Sequence, residues 1–163
     1  MYSPDSSARA VVIINSAIAV TARLYQHFAK FLCENNYIVI TYDYRGMGNS
    51  RLSHKGETDL ITWTRKDFAG IIEFVRTSFQ GMHLLLIGHS FGGQLPRLCP
   101  QIRYVKGMLA ICAQCGYWRL WPLPHRWALF FLWYLFMPIT TKFLGFFPAK
   151  IIGLGENLPA GAA

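Results

Sequence analysis

The chain has 163 residues, the length of one domain, and 53 % of them are hydrophobic, enough to bury a sizeable core. Sixteen Lys and Arg against eight Asp and Glu give +8, but the basic residues run from Arg9 to Lys150 without a block or stripe, which argues against nucleic acid as a partner. Spread charge beside a very apolar segment suits an anionic membrane surface better, and Met1-Tyr2-Ser3-Pro4-Asp5 lacks the basic start and apolar core of a signal peptide, so a cytoplasmic location is expected.

Ala10 to Ile14 is continuous and β-branched, the pattern of a strand buried on both faces. Asn15-Ser16-Ala17 breaks it. Thr21 to Asn35 reads as a helix with Leu24, Tyr25, Phe28, Phe31 and Leu32 on one face. Tyr37 to Tyr42 is a second strand, followed by a glycine-bearing loop from Asp43 to Ser50. Asp59 to Thr77 reads as an amphipathic helix whose apolar stripe is Ile61, Phe68, Ile71, Ile72 and Val75. His83 to Ile87 is a third strand, Gln94 to Cys99 opens a helix, and Val105 to Ala113 is a fourth strand. Strand and helix alternate, so the fold class is α/β: a mostly parallel sheet with right-handed crossovers, covered by helices on both faces.

After Gly116 the character changes. Trp118 to Lys150 holds four of the five tryptophans, and Trp127 to Met137 runs eleven apolar residues without interruption. Arg126 and Lys142 bracket only fifteen residues, short of the roughly twenty that cross a bilayer. Pro122, Pro124, Pro138 and Pro148 divide the region into short pieces. A lid helix over an apolar substrate is the main expectation. A membrane-surface anchor and a short spanning segment are the alternatives. Gly153 to Pro159 is loop-like, with no element expected after it.

The cysteines are Cys33, Cys99, Cys112 and Cys115. Cys33 falls in a helix and Cys112 in a strand, which does not suit a secreted disulfide framework. Cys112-Ala-Gln-Cys115 has no second pair for zinc and follows a strand rather than opening a helix, so neither a metal site nor a thioredoxin-type dithiol is expected. No cofactor is expected.

Gly88-His89-Ser90-Phe91-Gly92-Gly93 carries the chemistry. G-x-S-x-G between a short apolar strand and a helix is the pattern of a nucleophile elbow, which lifts a serine hydroxyl clear of the sheet. Gly88 and Gly92 lack Cβ atoms, so strand and helix can approach. Such elbows continue in the order Ser, acid, His. Downstream of Ser90 the only carboxylate is Glu156 and the only histidine is His125, in the reverse order. The triad acid and histidine are therefore not present in this chain. His89 adjoins the serine, but neighbouring side chains on an elbow diverge. Asp43 and Arg45 read as groups that tie their own loop.

The elbow, together with Asp43-Tyr44-Arg45-Gly46-Met47-Gly48-Asn49-Ser50, resembles the α/β-hydrolase superfamily, whose esterase- and lipase-like members carry D-x-R-G-x-G-x-S after the preceding strand. Gly116 to Pro122 and Gly153 to Pro159 are similar to stretches of an uncharacterised bacterial group of predicted α/β-hydrolases. The resemblance runs from Ala10 to Pro159. It implies Ser90 as nucleophile and an oxyanion hole made by the N–H of Phe91 and one from the first loop. In that loop, Asn15-Ser16-Ala17 stands where many members carry His-Gly-x, which assigns the second donor to Ala17, with Ile18 the near alternative. It divides the chain into a partial core with the elbow (1–117), an aromatic cap (118–152) and a loop leading to further core (153–163). It also implies strands before Ala10 and after Pro159, so the chain is expected to be trimmed at both ends.

Two functions from different classes are open. One is a serine hydrolase acting on a lipophilic ester or related acyl substrate. The other is a non-catalytic binding or membrane-peripheral domain that keeps the fold without the triad. A dithiol module on Cys112 and Cys115 is a third, weaker reading.

Overall fold

A computed structural model describes residues 1–51 and 57–163. Four parallel strands, β1 (Ala10–Asn15), β2 (Tyr37–Thr41), β3 (Leu84–His89) and β4 (Val105–Ile111), form one sheet in the order β2-β1-β3-β4. Tyr2 pairs antiparallel with Val39 on the outer edge of β2. The β-branched run of β1 is buried at every position, because it lies between two strands and under helices on both faces. Its alternate side chains divide the core. Val11 and Ile13 join Leu84, Leu86, Trp63, Phe68, Ile72 and Val75 on one face. Val12 and Ile14 join Ala29 and Val39 on the other.

Helix α1 (Gln26–Glu34), entered through a 3-10 turn at Ala22–Tyr25, covers the second face. Its contact stripe is narrower than the spacing implied. Tyr25, Ala29 and Leu32 pack inward, whereas Leu24, Phe28 and Phe31 are exposed. Ala29 is the fully buried residue of this helix, and its small side chain lets the backbone approach the sheet.

Helix α2 covers the first face. It begins as Leu60–Thr62, passes through a π-helical stretch at Trp63–Phe68 and continues as Ala69–Ser78. Asp59 caps its start by accepting the Thr62 N–H at 2.8 Å. The π turn inserts about one extra residue and so rotates the first turn of the helix out of phase with the last three. Phe68, Ile72 and Val75 are buried as the stripe requires, but Ile61 is 55 % exposed, and Trp63 and Thr64 are fully buried instead.

Helix α3 (Phe91–Gln94) starts at the elbow, earlier than the sequence implied, and tightens into a 3-10 turn at Leu95–Leu98, where Pro96 prevents a longer α-helix. The sheet is not covered throughout. β4 is the outer strand, and its Met108, Leu109 and Ile111 are exposed.

The aromatic segment corrects two expectations. His125 to Leu144 forms one 20-residue helix, α4, rather than short pieces, and it is long and apolar enough to cross a membrane by length and composition. Pro138 lies inside it, directly after a π-helical stretch at Leu132–Phe136. The wider π turn accommodates the bond that proline cannot make. Lys142 falls within the last turn, so the charges that bracket fifteen residues do not bound the helix. Gly145 ends it in the left-handed conformation at φ 73°. Beyond it, β5 (Phe146–Phe147) pairs antiparallel with β6 (Leu158–Pro159), followed by a 3-10 turn at Ala160–Ala162. These last elements carry no periodicity of their own, and the loop expected over Gly153 to Pro159 therefore ends in a short strand.

Candidate active site

β3 ends where the site begins. Asn15 at the end of β1 stands in register with Gly88 of β3. The loop after β1 and the elbow after β3 therefore leave the sheet side by side, at the carboxyl end where open α/β sheets bind ligands.

Ser90 lies at φ 51°, ψ −118°, a region that non-glycine residues occupy at a cost of about 1–3 kcal/mol. Neighbouring backbone holds it there. The Ser90 N–H donates to Ile111 O at 2.8 Å, and the Gly93 N–H donates back to Ser90 O at 2.9 Å. Gly88 and Gly92 are both required by crowding. A Cβ on Gly88 would lie 2.5 Å from Gly93 Cα, and one on Gly92 would lie 2.6 Å from Ser16 O and closer still to Asn15 O. Phe91 is the first residue of α3, so its N–H has no intrahelical acceptor, and the residue lines a cavity with Ser90.

The resemblance assigns a second oxyanion donor to Ala17. Its N–H already donates to the Tyr25 hydroxyl at 3.0 Å. The Val20 N–H turns back to Ala17 O. The Ile18 N–H makes no hydrogen bond among the described residues, and Ile18 lines the same cavity as Ser90 and Phe91. Tyr25 was the missing signal: it sits eight residues on and reaches the loop only once α1 has formed.

That cavity, about 540 Å³, runs from Ser90 under α4. Leu129, Trp133 and Met137, spaced four apart on one helix face, form its roof, and Trp121 and Leu60 add apolar wall. Gln94 and Gln114 supply polar edges and are joined by a 2.6 Å hydrogen bond from Gln94 Nε2 to Gln114 O.

The remaining sequence candidates lie elsewhere. His125 is exposed at the start of α4. Glu156 pairs with Arg51 at 3.7 Å, and its N–H donates to Ala19 O at 2.6 Å. Neither lines the cavity. Asp43 ties its loop, accepting the Ala22 N–H at 2.7 Å and the Asn49 N–H at 2.9 Å. Arg45 is held by Asp67 at 2.7 Å. Among the described residues no group of three His, Cys, Asp or Glu is placed to hold a metal. Cys112, at φ 50°, lies just past β4 rather than in it, and all four cysteines are free thiols.

A parallel sheet, a serine at positive φ between β3 and α3, and a cavity over that serine together define an α/β-hydrolase. Residues 6–142 match the family described as serine aminopeptidase, S33, and the chain belongs to that family. Its fold is similar to that of a thermostable carboxyl esterase from Bacillus coagulans (16 % identity, TM-score 0.62, covering 94 % of this chain and 49 % of the esterase). It is also similar to a probable hydrolytic enzyme from Pseudomonas aeruginosa (16 %, 0.56, 90 % and 47 %). An α/β serine hydrolase without lid from Xanthomonas campestris matches at 19 % identity and a TM-score of 0.53, over 68 % of this chain and 51 % of that one. The chain thus spans about half the length of the structures it matches.

Proposed function

We propose that this chain is the nucleophile-bearing part of a serine hydrolase that cleaves ester or related acyl bonds. The observation that carries the reading is Ser90 at φ 51° at the edge of an apolar cavity. Ser90 Oγ attacks the substrate carbonyl carbon and gives up its proton to an imidazole base. The Phe91 and Ile18 N–H groups receive the developing oxyanion, an interaction typically worth about 3 kcal/mol per donor. The alcohol leaves with that proton, and water then cleaves the acyl-enzyme by the same steps. The apolar roof on α4 favours a lipophilic acyl group. Among the described residues that line the cavity there is no side-chain carboxylate and no imidazole, so this reading assigns both to residues outside that lining. Four free thiols suit a reducing, cytoplasmic setting.

The test is covalent labelling of the full-length natural protein with an alkyl fluorophosphonate. Phosphonate mass on the peptide containing Ser90 is the expected result. Labelling elsewhere, or none while the protein turns over an ester, would sink the reading.

One observation favours a membrane-peripheral role beside the catalytic one. Away from the cavity, helix α4 is exposed, and Trp127, Phe131, Tyr134 and Phe143 project from it. Between Glu73 and Glu156 there is no acidic residue, while Arg76, Arg97, Arg103, Lys106, Arg119, Arg126, Lys142 and Lys150 are all basic. An apolar helix in a wholly basic stretch suits an anionic lipid surface. The full-length protein should co-float with vesicles of phosphatidylcholine and phosphatidylglycerol and lose that binding as salt rises. Equal binding to pure phosphatidylcholine would show that the basic residues play no part.

A further inference from the structure

Two side chains join the loop after β1 to the elbow. Asn15, fully buried, donates from Nδ2 to Gly92 O at 3.2 Å and accepts the Tyr42 hydroxyl proton at 2.9 Å. The second link runs through Tyr25 on the opposite side of the sheet. Its hydroxyl takes the Ala17 N–H at 3.0 Å and lies 2.8 Å from His89 Nδ1, with the two rings edge-on at 73°.

The groups available allow this second link to run from phenol to imidazole. A peptide N–H can only donate, so the Tyr25 oxygen accepts from Ala17. The phenol's one proton is free for His89 Nδ1, 2.8 Å away. That bond requires the imidazole tautomer with its proton on Nε2. Burial pushes the Tyr25 phenol up, partly offset by the Ala17 N–H, so it stays protonated at neutral pH.

We propose that Tyr25 is a positioning residue for the hydrolysis described above. By bridging Ala17 N–H to His89 Nδ1, it fixes the distance between the Ile18 oxyanion donor and the Ser90 nucleophile. The inference rests on the serine-hydrolase reading. Ile18 is the next residue after Ala17, and Ser90 is the next after His89. One phenol therefore holds the immediate neighbours of both working groups. Oxyanion donors act only when held within a few tenths of an ångström of the developing charge. The anchor itself is firm, because Tyr25 belongs to the packed stripe of Tyr25, Ala29 and Leu32 against Val12 and Ile14.

The experiment uses the full-length protein and the variant Tyr25→Phe, which keeps the ring and removes only the hydroxyl. Expected is a fall in kcat of roughly tenfold to hundredfold with KM within about twofold, since a donor displaced by a fraction of an ångström loses transition-state contact before ground-state binding. Nitrogen-15 NMR of the histidines gives a second readout that needs no turnover. Wild-type His89 should show a protonated Nε2 and a bare Nδ1, and Tyr25→Phe should lose that preference.

A pair of variants at His89 guards against misfolding of the first. His89→Asn keeps an acceptor near the position of Nδ1 and should lose less activity than His89→Leu, which keeps none. Unchanged kcat in a folded Tyr25→Phe overturns the inference, as does a His89 protonated on Nδ1 in an active wild type. A wild type with the Nε2 proton but no Ser90-dependent turnover sinks the hydrolase reading, and this inference with it.

Discussion

Replacing Ser90 by alanine should lower ester turnover by the full-length protein by a factor on the order of 10⁴ to 10⁶ while leaving its thermal midpoint almost unchanged. The size reflects the group removed. Without Oγ there is no covalent intermediate, and only binding and the oxyanion donors remain to help a water attack; together these are worth about 10³–10⁴-fold over the uncatalysed reaction. The stability should hold because alanine meets the same positive φ as serine and loses no buried partner. The backbone bonds that hold the elbow, Ser90 N–H to Ile111 O and Gly93 N–H to Ser90 O, do not involve the side chain. KM should change little. The measurement is steady-state turnover of a chromogenic acyl ester by wild type and variant, with calorimetry as the control. Residual turnover above about a tenth of wild type would remove Ser90 from the chemistry.

The elbow was legible because its causes are local. Two glycines, a serine and a preceding apolar strand lie close together in the chain, and each has a steric reason to be there. β1 and β2 were legible for a similar reason, since β-branched runs admit few other states. What the sequence hid depends on distant partners or on a change of period. The stripe read from Ile61 assumed one helical repeat throughout, but the π turn at Trp63–Phe68 shifts the phase and turns Trp63 and Thr64 inward. Pro138 argued for a break that the preceding π turn avoids. The place of Ala17 in the loop could not show that Tyr25, at the start of α1, accepts its N–H. In each case the deciding contact lies outside the window in which the residue was read.

The glycine at position 92 offers the sharpest structural test, because two effects of opposite sign meet there. Gly92 is in α3 with an ordinary φ, so alanine would favour the helix by up to about 1 kcal/mol. Against that, its Cβ would stand 2.6 Å from both Asn15 C and Ser16 O, and nearer still to Asn15 O. These are backbone atoms of an inner strand and of the loop beside Ser90, and they cannot swing aside as a flexible side chain could. Forcing them apart should cost about 3 kcal/mol net, near the upper end for overpacking, and lower the midpoint by roughly 6–12 °C. The hydrogen bond from Asn15 Nδ2 to Gly92 O would stretch as well. Gly70 supplies the contrast. It lies in α2 with open space around the position of its Cβ. There the helical preference acts alone, so Gly70→Ala should be neutral or stabilising by up to about 1 kcal/mol. Thermal denaturation of both variants decides the matter, and a Gly92→Ala protein as stable as Gly70→Ala would mean that the elbow and the loop after β1 are not in the contact described. The same displacement would carry Ile18 away from Ser90, so Gly92→Ala should also lose activity at temperatures where it remains folded. That coupling separates a glycine kept for close approach from one kept for backbone freedom.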